Sequence, residues 1–316
     1  VNNIYQNLPR PFFVLAPMDD VTDTVFRRVV GQAAKPDLYF TEFVSVDGLQ
    51  SVGRERLLKR IRFEPDEHPI IAQVWGKTPD NYYKTAQELV ELGFDGIDIN
   101  MGCPDKTIVK NGCCSALIND RSLALEIIKA TQDGAAGRVP VSVKTRLGFN
   151  EVDYSWHELL LGQNLAALTI HGRTRKQMSE VPAEWDKIQH IREMRDELAP
   201  DTVLIGNGDV MSKRHGLELA EKHGVDGIMI GRGIFQDLFA FAEHSEWPAY
   251  TREQRIALYK AHVELFAGTW LNEERKIHTL NKFCKIYIQG FDGAKELREQ
   301  LMAAKSSKEL LELLTV

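Results

Sequence analysis

The chain has 316 residues, 43% of them hydrophobic, and a formal net charge of −6. That is enough apolar material for one large α/β domain or a large domain with a small companion, and the acidity argues against a surface that grips nucleic acid everywhere, because phosphate affinity comes from Lys and Arg. With no run of about eighteen apolar residues and no charged-then-apolar leader, the expectation is a cytoplasmic protein without a membrane partner.

Eight β-rich runs follow one another, each leading into a helical stretch: FFVLAPM (12–18), LYFTE (38–42), IIAQVW (70–75), GIDINMG (96–102), VPVSVKTRL (139–147), AALTIHG (166–172), TVLIGNG (202–208) and GIMIGRG (227–233). Their apolar content is nearly continuous, as in parallel strands covered on both faces. Intervening segments such as 81–93 and 121–134 carry apolar residues at three-to-four spacing and stop at Gly. Eight such units over about 230 residues predict a (β/α)8 TIM barrel in preference to a six-stranded Rossmann sheet. Met18, Glu42, Gln73, Asn100, Lys144, His171, Asn207 and Gly231 all fall at C-terminal strand ends, which a barrel gathers at one mouth. The basic stretch 50–62 reads as a solvated helix. After Trp247-Pro248 only helical patterns remain, so the barrel is assigned to residues 1–244 and a small all-helical domain to 245–316.

The turns Gly206-Asn207-Gly208-Asp209 and Gly231-Arg232-Gly233 suit a phosphate, since glycines let backbone N–H groups approach an anion and Arg232 adds a donor fork; the simpler reading is tight turns alone. Lys144 and Arg146 share one face of a strand. A lysine in so apolar a run implies an anion at the mouth, or an ion pair with Glu42 or Asp98. His171 stands beside Arg173, Arg175 and Lys176, a cluster suited to an anionic substrate. Of four cysteines, Cys103, Cys113 and Cys114 crowd one loop without a Cys-x-x-Cys pair or a nearby histidine, so no metal is expected. Reducing cytosol would keep them as thiols. Only Cys103, in Asn-Met-Gly-Cys-Pro, directly follows a strand.

APMDDVTD (16–23), DINMGCP (98–104), KTRLG (144–148), HGRTR (171–175), NGD (207–209) and IGRG (230–233), in that order and spacing, resemble the tRNA-dihydrouridine synthases, and the likeness continues into YIQGFDGAKELREQLMAAKS (287–306). The resemblance implies an FMN-binding barrel, a helical tRNA-binding domain, and reduction of the C5–C6 bond of a particular tRNA uridine with NADPH as electron donor. On it, Ala16, Pro17, Met18, Gln73, Lys144, His171, Asn207, Gly208, Asp209, Gly231 and Arg232 match flavin contacts, Asn100 matches a residue that holds the target base, and Cys103 matches the acid that protonates C5 after hydride reaches C6. Arg146, Arg173, Arg175, Lys176, Lys282 and Lys285 are the expected tRNA contacts, and a monomer is expected. The alternatives are a flavin-dependent reductase of a free pyrimidine or small enone, and a tRNA-binding protein with reduced catalysis. Asp20 and Cys114 depart from the family pattern, which has glycine there; a positive φ at either position would strain a side chain.

Overall fold

Strand-forming runs and capped helices alternate along the computed structural model, which describes residues 3–315. The strands are β1 (Phe12–Leu15), β2 (Leu38–Phe40), β3 (Val44–Ser45), β4 (Ile70–Trp75), β5 (Gly96–Met101), β6 (Val141–Arg146), β7 (Ala167–His171), β8 (Val203–Asn207) and β9 (Gly227–Ile230). All pairings are parallel; β1 joins β9, and β2 joins β4, so the sheet closes on itself. The eight predicted runs are the eight staves of a TIM barrel. The ninth strand, β3, is a two-residue addition to β4. Its separation from β2 has a local cause: the backbone N–H of Gln73 donates to Thr41 Oγ1 at 3.1 Å, a side-chain acceptor where a regular ladder would offer a carbonyl.

Helices between the strands begin on short polar side chains. Asp23 accepts from Phe26 N at 2.9 Å at the start of Thr24–Ala34, and Asp120 from Leu123 N at 3.2 Å at the start of Arg121–Ala135. Asp153 and Ser212 do the same for Tyr154–Leu161 and Lys213–His223. Each cap satisfies an amide the helix cannot, a contribution of about 1 kcal/mol. Strand alternation then sorts the core: Phe12 and Val14 point into the barrel with Leu38, Phe40, Ile71, Ile205 and Met229, while Phe13 and Leu15 pack under the helices.

The C-terminal part is helical: Arg252–Thr269, opened by a Thr251/Gln254 capping box, then Asn281–Tyr287, Ala294–Ala303 and Ser307–Leu313. It packs on helix Thr24–Ala34, where Phe26 meets Phe283 with ring centroids 4.6 Å apart. The basic stretch 50–62 contains one short helix, Glu55–Leu58, whose Leu57 and Leu58 lie against the core. None of the helices among the described residues is long and apolar enough to cross a membrane.

Candidate active site

Register builds the mouth. Arg146 is paired with His171 and His171 with Asn207, placing the last residues of β6, β7 and β8 in one row. Beside that row opens a cavity of about 410 Å³, lined by Ala16, Pro17, Met18, Lys144, Arg146, His171, Asn207, Gly208, Asp209, Val210, Met211, Gly231, Arg232, Gly233 and Gln236. The size suits a small-molecule ligand. Of the eleven residues expected to contact a flavin, ten line it and Gln73 does not. Sequence reading missed Val210, Met211 and Gln236; their one signal was proximity to the two glycine turns. Gly208 has φ +130°, and a Cβ there would approach Ala183 Cβ to 2.7 Å. A Cβ on Gly231 would face Ala16 at 3.5 Å and Met18 Sδ at 4.0 Å, between two residues of the cavity wall. A larger cleft, about 520 Å³, lies at the opposite end of the barrel around Asn3, Gln6, Val141 and Thr202, away from the row of strand-end cations.

The cavity is electropositive. Burial, then the neighbouring Arg146 charge, pushes the Lys144 ammonium down to about 8, with Asp98 and Cys103 working the other way. Among the described residues Lys144 makes no ion pair, so neither expected counter-charge holds it. Burial and the surrounding Arg146, Lys144, Arg173 and Arg232 hold His171 well below the usual imidazole range. Arg173 Nη1 lies 3.3 Å from its Nε2. A guanidinium can only donate, so Nε2 is the acceptor and the neutral ring carries its proton on Nδ1.

Arg173 itself requires a correction. Expected among the tRNA contacts, it is 2% exposed: Nε donates to Val181 O and Nη2 to Asp209 Oδ2, each at 2.5 Å. It braces the cavity wall from within. Burial disfavours charge on Asp209, but hydrogen bonds from Arg173 and Ala183 N and the Arg232 charge keep its carboxyl below the ordinary range. Arg146 is likewise a clamp, donating to Gly102 O at 2.7 Å, Thr174 O at 3.1 Å and Met178 O at 3.0 Å while still reaching the cavity. Arg175 is half-buried over the Phe149 ring, 5.3 Å from its centroid. Lys176, Lys282 and Lys285 are exposed. Lys282 Nζ also donates to Asp20 O at 2.7 Å, tying the helical part to the barrel.

Below the mouth a polar chain crosses the barrel interior. Tyr5 Oη and Ser142 Oγ are 2.9 Å apart, Ser142 donates to Asp98 at 2.6 Å, Gln73 donates to Asp98 at 2.7 Å, and Asn100 Nδ2 donates to Gln73 Oε1 at 3.1 Å. Burial raises the Asp98 carboxyl to about 6 against the hydrogen bonds from Ser142 and Gln73. The chain ends at Asn100, whose Oδ1 accepts from Gly102 N at 3.0 Å and Cys103 N at 2.9 Å. Asn100 therefore holds the turn carrying Cys103 and keeps one amide hydrogen for a ligand. Cys103 is half-buried on the loop after β5; it does not line the cavity, but it acts on Lys144 and Arg146, which do. A hydrogen bond from Cys114, opposed by burial and aided by the Asp105 backbone N–H and the Arg146 charge, lowers its thiol to about 7.

Both family departures occupy the left-handed region: Asp20 and Cys114 each have φ 54°. Such a conformation costs a non-glycine residue about 1–2 kcal/mol. At Asp20 ion pairs offset the strain, with Arg60 at 3.6 Å and with Arg275 of the helical part at 3.7 Å. Glu42, expected at the mouth, turns to the same place: it is fully buried, accepts from Asp20 N at 2.8 Å, and pairs with Arg275. Asp23 accepts from Trp270 Nε1 at 3.0 Å, and Arg275 lies 5.1 Å from that ring. This junction was not legible from local patterns.

Residues 14–316 match the family model described as "Dihydrouridine synthase (Dus)". The chain belongs to the dihydrouridine synthase family. It is 47% identical, over 99% of its length and 94% of the relative's, to a "Probable tRNA-dihydrouridine synthase" of Staphylococcus aureus (strain Mu50). It is also 47% identical, over 99% and 95%, to "Probable tRNA-dihydrouridine synthase 2" of Bacillus subtilis (strain 168). Among solved structures, histamine dehydrogenase from Rhizobium sp. 4-9 aligns with a TM-score of 0.54 at 10% identity, covering 80% of this chain and 48% of the other. At that identity the likeness concerns the barrel fold alone.

Proposed function

We propose that this member of the family is an FMN-dependent tRNA uridine reductase, with residues 1–244 as catalytic barrel and 245–316 as tRNA-binding domain, acting as a cytoplasmic monomer. The observation that carries the reading is an electropositive cavity lined by Lys144 and Arg146, with the Cys103 thiol, on a turn fixed by Asn100, close enough to act on both charges. The donor set fits FMN: Arg232 and the glycine turns suit its phosphate, and Lys144 suits an anionic edge of its ring system. Bound there, FMN would take electrons from NADPH and supply hydride to C6 of the uracil.

The chain's own residues do the rest. Cys103 donates the proton that C5 requires, from a turn fixed by Asn100. The spare Asn100 amide hydrogen can orient the uracil through a carbonyl. Lys144 and neutral His171 surround the site with fixed positive charge and a single ring N–H, so electron-rich species are stabilised without proton loss to solvent. The target base must leave its stack at a cost of a few kcal/mol, which contacts from Lys176, Lys282 and Lys285 to the surrounding RNA backbone would help offset.

The test is purified protein with FMN and NADPH given either unmodified tRNA or free uridine, with dihydrouridine measured by nucleoside mass spectrometry. Product in tRNA with free uridine inert is expected. Reduction of free uridine alone would favour the small-enone alternative, and a flavin-loaded protein that changes neither would favour the binding-protein alternative.

A further inference from the structure

Two thiols meet in the loop after β5. Ser115 N and Oγ both donate to the Cys103 carbonyl, at 3.4 and 2.8 Å, docking the one-turn helix Cys114–Ile118 onto the Cys103 turn. These bonds place Cys114, the residue before Ser115, beside Cys103, near enough that each thiol shifts the acidity of the other. Cys114 is fully buried and Cys103 partly exposed. Cys113 is not part of this contact; its Sγ lies 3.8 Å from Asn111 O. The left-handed backbone at Cys114 makes any side chain there a conformational burden, and what this side chain contributes is a sulfur against Cys103.

We propose that Cys103 and Cys114 are a reversible oxidation site, in which a hydroperoxide oxidises Cys103 and Cys114 closes on it as a disulfide. With hydrogen peroxide, the Cys103 thiolate attacks one oxygen, the O–O bond breaks, and Cys103 becomes a sulfenic acid as the other oxygen leaves as water. Cys114 sulfur then attacks Cys103 sulfur, and the displaced hydroxyl takes the Cys114 proton and leaves as a second water. Two thiols lose two electrons and two protons; one peroxide becomes two waters. An external dithiol reverses the change. The asymmetry suits the order of events: the Cys103 thiol, near 7, provides thiolate at neutral pH, while burial holds Cys114 up and protonated, shielded from peroxide. In the oxidised state Cys103 has no proton to give, so turnover stops; that consequence alone rests on the general-acid reading above.

Trypsin cuts after Lys84, Lys106, Lys110 and Arg121, so Cys103 falls on peptide 85–106 and both Cys113 and Cys114 on 111–121. FMN-loaded full-length protein treated with a few equivalents of hydrogen peroxide and then alkylated should yield these peptides joined by a disulfide. Fragment ions should place the bond on Cys114. It should persist in Cys113→Ser and vanish in Cys114→Gly and Cys114→Ser. Two thiols per chain should be lost, and dithiothreitol should restore both thiols and turnover; in Cys114→Gly, Cys103 should instead pass to sulfinic acid and stay inactive. A bond to Cys113, or wild-type Cys103 reaching sulfinic acid without a linked peptide, overturns the proposal, as does Cys103 unmodified by peroxide. A linked peptide in a fully active enzyme would leave this site standing and overturn the general-acid role.

Discussion

Cys103 has a neighbour on each side: Asn100 fixes its backbone N–H at 2.9 Å, and Cys114 is the largest influence lowering its thiol. If Cys103 is the proton donor, Cys103→Ala should lower turnover about 10²–10⁴-fold, the usual worth of a placed general acid, with FMN and tRNA affinity unchanged; single-turnover assays and titrations would check this. The acid must be protonated, so activity should fall as pH rises through about 7. Cys114→Gly removes the largest influence lowering that thiol, and the alkaline limb should move to higher pH. A limb that stays in place would mean another group titrates there. Cys103 could be singled out in the sequence because it directly follows a strand. Its proximity to Cys114 was not legible, because ten residues of loop separate them and loop spacing carries no periodicity that predicts contact.

Among the elements, strands were legible and loop side chains were not. Alternation holds while the ladder lasts, which is why Lys144, Arg146, His171 and Asn207 were correctly gathered. Past His171 the chain turns back on itself, Arg173 N meeting His171 O at 2.7 Å, and parity no longer says which cation faces in. Arg173 went inside; Lys176 remained outside. Arg173 should therefore fail differently from the exposed helix residue Lys285. Arg173→Ala should strip support from Asp209 and His171, weakening flavin retention measured by equilibrium dialysis. Lys285→Ala should leave flavin bound and weaken tRNA, lowering the slope of log K against log salt by somewhat less than one unit if one phosphate contact is lost. Equal salt slopes in Lys285→Ala and wild type would remove that lysine from the RNA interface.

At the scale of the whole molecule, barrel and helical part are joined by a charged junction that bridges 233 residues of sequence, a distance over which no local pattern could have signalled it. Glu42 is 0% and Arg275 4% exposed at their side chains. Burial raises the Glu42 carboxyl to about 7, and the strongest influence opposing that rise is the Arg275 charge. A carboxyl raised on folding contributes stability that is fully present below its ordinary value of 4.5 and is lost as pH climbs through its folded value. Replacing Arg275 with leucine removes the opposing charge and pushes the folded value higher still, so the loss continues to higher pH. The deficit of the variant should thus be smallest near pH 5, where Glu42 is largely neutral and only the pairs with Asp20 and Asp23 are lost, and grow toward pH 8, approaching the ~3–5 kcal/mol typical of a buried ion left without its partner. Urea unfolding of both proteins across that range measures the difference directly. A gap that does not change with pH would assign Arg275 to packing over Trp270, and the junction would be held by shape instead of charge.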